Sequence, residues 1–116
     1  MSWTYKTFFL DDIDLTKILQ ELLVRFKYKG YDAFPNSDNY KEKSLRLKKP
    51  PRYNFDIILT LILEKDDVRI EIRTLYGKKE LDKEYMEDIR RTTFQTIDNY
   101  HNYLKKRKTT LLLPSD

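Results

Sequence analysis

Cysteine is absent from this 116-residue sequence, and histidine occurs once, at His101. Without cysteine the chain has no disulfide, no thiol nucleophile and no thiolate metal site. A single histidine also excludes a metal cluster built from several histidines of one chain, and the sequence shows no partner residue that would make His101 catalytic. With 2 glycines in all, the sequence has no glycine-rich phosphate loop. We therefore expect a protein that is not an enzyme, with no cofactor, no bound metal and no small-molecule substrate.

Long hydrophobic runs are missing as well. The longest apolar run, residues 57–63, is far too short to cross a bilayer. The first six residues are polar and aromatic and do not form the apolar segment of a signal peptide. The length suits one core. We expect no membrane contact, a cytoplasmic location, a single domain over residues 1–108 and a C-terminal tail over residues 109–116.

Two segments repeat apolar residues at the three- and four-residue steps of an amphipathic helix. In the first, the acidic pair Asp11-Asp12 predicts the start and Gly30 predicts the end. The second covers residues 80–108, acidic in its first half and basic in its last turn, as the helix dipole favours. Glu84 and Asp88 share a face of that helix. The helix dipole is sufficient to explain why acidic residues are placed there, so we assign them no acid-base role.

Four segments are typical of β-strands, at residues 3–10, 44–49, 53–64 and 68–76. The last two predict a hairpin that sets Leu63, Leu61 and Leu59 opposite Val68, Ile70 and Ile72. Burial fixes this register, because a shift of one residue would oppose the leucines to charged residues. We interpret residues 31–42, rich in Asn, Asp and Ser around Pro35, as a polar turn region.

The element order β-α-β-β-β-α predicts an α+β fold. An antiparallel sheet of about four strands, with both helices packed on one face, is the two-layer sandwich that buries every apolar face. Leu22, Leu61, Ile70 and Ile97 are the predicted core positions. The second face of the sheet is left open.

The net positive charge is small, with 23 Lys and Arg against 19 Asp and Glu, but the cations are concentrated in parts of the chain. Residues 41–52 contain six cations and one acid. On the predicted strands, Arg46, Lys48, Arg69 and Arg73 face away from the core, with Lys49 and Arg52 at the rim and Tyr53 near a strand end. Cations beside aromatic rings are what single-stranded or structured nucleic acid requires. The sequence thus predicts a small non-enzymatic binding protein that contacts RNA or DNA.

An alternative interpretation is a protein-protein interaction or homodimerisation module that binds no nucleic acid. Ile58 and Ile62 lie on the nominally open face, and the 9 tyrosines are of a residue type enriched at interfaces. The tail residues Leu111, Leu112 and Leu113 form a β-favourable stretch that can add a strand to a sheet edge. On a third interpretation, Glu71 and nearby acids compensate the cations, and the charged face only keeps the protein in solution.

Overall fold

The computed structural model describes residues 2–6, 14–50, 53–64, 67–74 and 83–112. The elements in chain order are β1 (Ser2–Lys6), α1 (Leu15–Tyr28), β2 (Asp32–Asp38), β3 (Glu42–Lys49), β4 (Tyr53–Glu64), β5 (Asp67–Thr74) and α2 (Lys83–Leu112). The predicted α+β fold is confirmed. The order is β-α-β-β-β-β-α, with one strand more than the sequence led us to expect.

Helix α1 has a cap at each end. Asp14 takes an extended conformation and its carboxylate accepts a hydrogen bond of 2.9 Å from the backbone N–H of Thr16. This satisfies one of the amides that a helix start leaves free. The cap is therefore Asp14 and not the predicted pair at residues 11–12, which lies outside the described residues. Gly30 ends the segment at φ 92°, a left-handed conformation that suits glycine, as predicted.

The five strands form one antiparallel sheet in the order β1-β5-β4-β3-β2. The register predicted for the hairpin is confirmed, because Leu63, Leu61 and Leu59 lie opposite Val68, Ile70 and Ile72. Strand β4 is central, and β1 and β2 are the edges of the described sheet.

Strand β2 corrects the interpretation of residues 31–42 as a turn. Within the described sheet, β2 pairs with β3 on one side only. Pro35 is tolerated there because proline lacks a backbone N–H, and an edge strand needs fewer donors than a central one. A bulge between Pro35 and Ser37 absorbs the irregularity. Ala33 is buried and Phe34 is exposed, which is the alternation of a strand. The turn-like composition outweighed this short alternation in the sequence.

The hydrophobic core lies between the sheet and both helices, on one face. All four predicted core positions are buried, with none more than 1% exposed. The core unites the apolar face of α1, the stripe of α2 that contains Ile89 and Ile97, and alternate residues of β3, β4 and β5. The two-layer arrangement is confirmed, and the face of the sheet away from the helices carries the other residues of these strands.

Helix α2 continues beyond the predicted end at residue 108 and reaches Leu112. Leu111 and Leu112 are thus helical and not part of an extended tail, and the predicted domain boundary falls inside the helix. Extending an existing helix gains a hydrogen bond for each residue fixed, which offsets the weak β preference of Thr109 and Thr110. Leu113 lies outside the described residues. Neither described helix contains a stretch both long and apolar enough to span a bilayer.

Candidate nucleic-acid interface

One row of side chains crosses four strands on the face of the sheet away from the helices. Phe34 on β2 lies opposite Arg46 on β3, which lies opposite Ile58 on β4, which lies opposite Arg73 on β5. Their neighbours along the strands, such as Leu45, point into the core, so this row belongs to the open face. The open face thus places an aromatic ring, a cation, an aliphatic side chain and a second cation in register.

Arg46 and Lys48 share one carboxylate on this face. Asp56 on β4 is only 8% exposed and forms an ion pair with the guanidinium of Arg46. Lys48 places its Nζ 3.8 Å from the other carboxylate oxygen of Asp56. Both cations keep about two fifths of their side-chain surface in solvent. A phosphate can therefore reach them, in competition with Asp56.

Arg73 differs from these two cations. Its side chain is exposed on the outer face of β5. Among the residues that the structure describes, none forms an ion pair with it. Among the described cations of the open face, Arg73 is therefore the one for which no described carboxylate competes with a ligand. We call Arg46, Lys48 and Arg73 together the basic end of the sheet.

Arg69 lies towards the opposite end of β5, in an acidic environment. Its guanidinium lies 3.2 Å from a carboxylate oxygen of Glu64 and 3.4 Å from one of Glu71. Glu42 lies in the same cross-strand row, two strands away. The open face is therefore divided into a basic end and an acidic end, whereas the sequence predicted four cations that share this face. The separation follows from strand order, which the charge pattern of single strands does not show.

Lys49 is on the other side of the sheet. A bulge between Leu47 and Lys49 precedes it, and its Nζ lies 4.6 Å from the ring centre of Tyr31 and 5.4 Å from that of Tyr85. These are cation–π contacts against the helical layer. Tyr53 begins β4 with its backbone opposite Lys49, and Arg52 lies outside the described residues. Of the predicted cations, Arg46, Lys48 and Arg73 gather on the open face at one end.

Phe34 is the residue of this face that the sequence did not indicate. Its side chain is 58% exposed, although large apolar side chains are usually covered. The composition of residues 31–42 predicts a turn, in which side chains share no face. The alternation of Tyr31 and Ala33 with Asp32 and Phe34 was the signal that could have found it.

The residues proposed for a protein interface have different surroundings. Ile58 lies on the open face as expected, but it is 1% exposed and offers no surface to a partner. Ile62, on the same face, is half-buried. On the helical layer, by contrast, Val24 and Tyr103 are more than half exposed and line a groove between α1 and α2.

The acidic side chains of α2 lie at a cleft on the helical layer, lined by Lys29, Lys49, Glu84, Tyr85, Glu87, Asp88 and Arg91. Lys29 donates from Nζ to Asp88 at 2.8 Å and to Thr92 Oγ1 at 2.7 Å. The Tyr31 hydroxyl donates to the second oxygen of Asp88 at 2.9 Å. Both oxygens of Asp88 thus have partners that join the end of α1 to α2.

These contacts determine the protonation states of Asp88 and Tyr31. Burial opposes ionisation of Asp88, but hydrogen bonds from Lys29 and Tyr31 and the charges of Lys29 and Lys49 outweigh it and lower its pKa. Burial and the hydrogen bond to Asp88 raise the pKa of Tyr31. Asp88 is therefore a carboxylate and Tyr31 a phenol at neutral pH. A structural role, which is to join α1 to α2, is sufficient to explain this network. Within the described ranges, no three potential metal ligands are grouped.

These features define the chain as an α+β two-layer domain with one helical face and one open sheet face. The crystal structure of the vertebrate conserved region (VCR) of human METTL16 is similar in fold, with a TM-score of 0.53. The likeness covers 84% of this chain and 96% of that one at 14% identity. At this identity it shows the fold alone. No protein-family model matches the chain, and no curated protein matches it significantly.

Proposed function

We propose that this chain is a non-catalytic domain that binds RNA or DNA through the basic end of the sheet. The observation that carries the proposal is the row in which Arg46 and Arg73 flank Ile58, with Phe34 exposed beside Arg46. Arginine recognises phosphate through two parallel hydrogen bonds, and an exposed ring provides a stacking surface for a base. Ile58 lies between the two cations and is itself buried.

The size of the expected electrostatic effect is modest. Each phosphate contact to a single strand contributes roughly −0.7 to the slope of log affinity against log salt. The three cations of the basic end therefore predict a slope of about −2. Asp56 partly neutralises Arg46 and Lys48, so binding should be weak at physiological salt and clear at low salt.

A salt titration of binding to fluorescein-labelled single-stranded RNA and DNA oligonucleotides tests this proposal. The triple variant Arg46→Gln, Lys48→Gln, Arg73→Gln should lose most of the slope. The matched control is Arg69→Gln, a cation of the same face that two carboxylates already neutralise. It should change affinity little. Equal losses in both variants, or no binding of the unmodified chain at low salt, would contradict the proposal.

A second candidate function is homodimerisation through the helical layer. It is favoured by the exposure of Val24 and Tyr103 on either side of the groove between α1 and α2. A contact of this kind would resist salt, because apolar burial is not screened. Solution mass at low and high salt separates the two candidates. A dimer that persists in high salt and is lost in Val24→Asp would support this second function.

A further inference from the structure

We propose that the basic end selects single-stranded over double-stranded nucleic acid, because an unpaired base stacks on Phe34. This inference rests on the proposed function and adds the class of nucleic acid and the residue that distinguishes it. Phe34 is the described aromatic side chain of the open face that is more than half exposed. Phe34 lies on an edge strand of the described sheet, that strand is hydrogen-bonded to its neighbour, and Arg46 is directly opposite.

The position of Phe34 gives a base room to approach. Strand β2 is an edge of the described sheet and pairs only with β3. One flank of the ring therefore faces no neighbouring strand within that sheet. A base is a flat ring and needs an exposed aromatic ring to stack on, and Phe34 is 58% exposed.

The strand that carries Phe34 is also anchored to its neighbour. Asn36 donates from Nδ2 to Ser44 Oγ at 2.9 Å, and the hydroxyls of Ser37 and Ser44 are hydrogen-bonded at 2.7 Å. These bonds join β2 to β3 next to the bulge that follows Pro35. A ring on an anchored strand loses less conformational freedom on binding than a ring on a loop. The strand that carries Phe34 is thus in place before the ligand arrives.

The distance from Phe34 to a phosphate-binding group is suitable. Phe34 and Arg46 are directly opposite each other on neighbouring strands, so their Cβ atoms are roughly 5 Å apart. A nucleotide whose base covers Phe34 brings its own phosphate within reach of Arg46. Asp56 holds Arg46 by its other side and limits the positions of the guanidinium.

Selectivity follows from which bases expose a face. In a duplex each base is stacked between its neighbours, so Phe34 could bind one only after it had been unstacked at a cost in free energy. In a single strand the bases can turn outwards and stack on a side chain. The cations contact phosphates of either form, so they supply affinity without this preference.

The test compares one oligonucleotide as a single strand and as its duplex, at the same low salt, for Phe34→Ala. Loss of one stacked base should weaken single-strand binding roughly 5- to 150-fold. Duplex binding should stay unchanged, and Phe34→Tyr should restore the single-strand preference. The matched control is Tyr103→Ala, because Tyr103 on α2 is also 58% exposed but lies on the helical layer. It should bind like the unmodified chain.

The outcomes separate this inference from the function on which it rests. If Phe34→Ala binds the single strand normally while the triple cation variant does not, the function stands and the stacking role is wrong. Equal affinity of the unmodified chain for single strand and duplex would also overturn the inference. If the unmodified chain binds neither, the proposed function and the inference both fail. Thermal unfolding of each variant establishes that its fold is retained.

Discussion

The guanidinium of Arg46 and the carboxylate of Asp56 form an ion pair between β3 and β4 on the open face of the sheet. Asp56 is almost covered, whereas Arg46 keeps two fifths of its side-chain surface in solvent. The carboxylate therefore occupies the place that a phosphate would take, and limits the strength of any complex at this end. Arg46 is both oriented and partly neutralised by the same contact.

Removing this competitor should strengthen binding. Asp56→Asn keeps the shape of the side chain but releases Arg46 and Lys48 to a phosphate. Because solvent reaches the guanidinium of Arg46 and screens the pair, we take about 1 kcal/mol for the competition, so affinity for a single-stranded oligonucleotide should rise up to about 5-fold, with a steeper salt dependence. The control is Glu71→Gln at the acidic end, which should have a smaller effect. Fluorescence anisotropy measures both, and weaker binding by Asp56→Asn would contradict the competition.

Two residues of α1 should differ greatly in their contribution to the free energy of unfolding. Leu22 is fully buried and Val24, two positions on, is 69% exposed. Leu22→Ala removes buried methyl groups and leaves a cavity, so the free energy of unfolding should fall by about 2–5 kcal/mol. Val24→Ala should change it by less than about 0.5 kcal/mol. Denaturant unfolding followed by circular dichroism measures both, and similar losses would mean that the helix is rotated relative to the sheet.

The end of α1 depends on the conformation of Gly30. Its φ of 92° is strained for a residue with a Cβ, while a Cβ placed there would have no atom within 4 Å. Gly30→Ala should therefore lower the free energy of unfolding by about 1 kcal/mol through the backbone alone. Gly30→Asn should cost less, since asparagine tolerates this conformation better. Equal stability of Gly30→Ala and the unmodified chain would contradict this account.

The sequence predicts the fold where a pattern is long and regular. The leucines of β4 and the isoleucines of β5 set their own register, and the stripe of α1 is complete from Leu15 to Phe26. It fails at β2, where proline and polar residues hide an edge strand of seven residues. An edge strand pairs with one neighbour, whereas a central strand pairs with two, so the sequence of an edge strand is less constrained.

The candidate site is less predictable than the fold for a related reason. Alternation along single strands indicates that Arg46, Arg69 and Arg73 face away from the core. It does not indicate that Arg69 also meets Glu64 while Arg73 meets no described carboxylate, since that depends on which strands are neighbours. Phe34 joins the basic end only once β2 is placed beside β3. Pairing across strands is thus the information that the linear pattern lacks.

The network around Asp88 predicts a pH dependence of stability. The pKa of Asp88 is lowered in the folded chain, against about 3.9 in the unfolded chain. A carboxyl group with a lowered pKa stabilises the fold above its unfolded pKa, and this contribution is lost as the pH falls through the folded value. The stabilising effect of Asp88 should therefore be complete at neutral pH and decline below about pH 4.

Asp88→Asn isolates this effect from other carboxyl groups. At pH 7 the variant should be less stable by about 1 kcal/mol, somewhat less than is usual for hydrogen bonds to a charged group, since solvent still reaches the side chain. As the pH falls below about 4, the two stabilities should converge, because protonated Asp88 no longer attracts Lys29. Glu84→Gln makes the same charge change on the same helix at a more exposed residue and should show no such convergence. Urea unfolding at several pH values measures the difference, and a constant gap between Asp88→Asn and the unmodified chain would show that the Lys29–Asp88 contact does not stabilise the fold through charge.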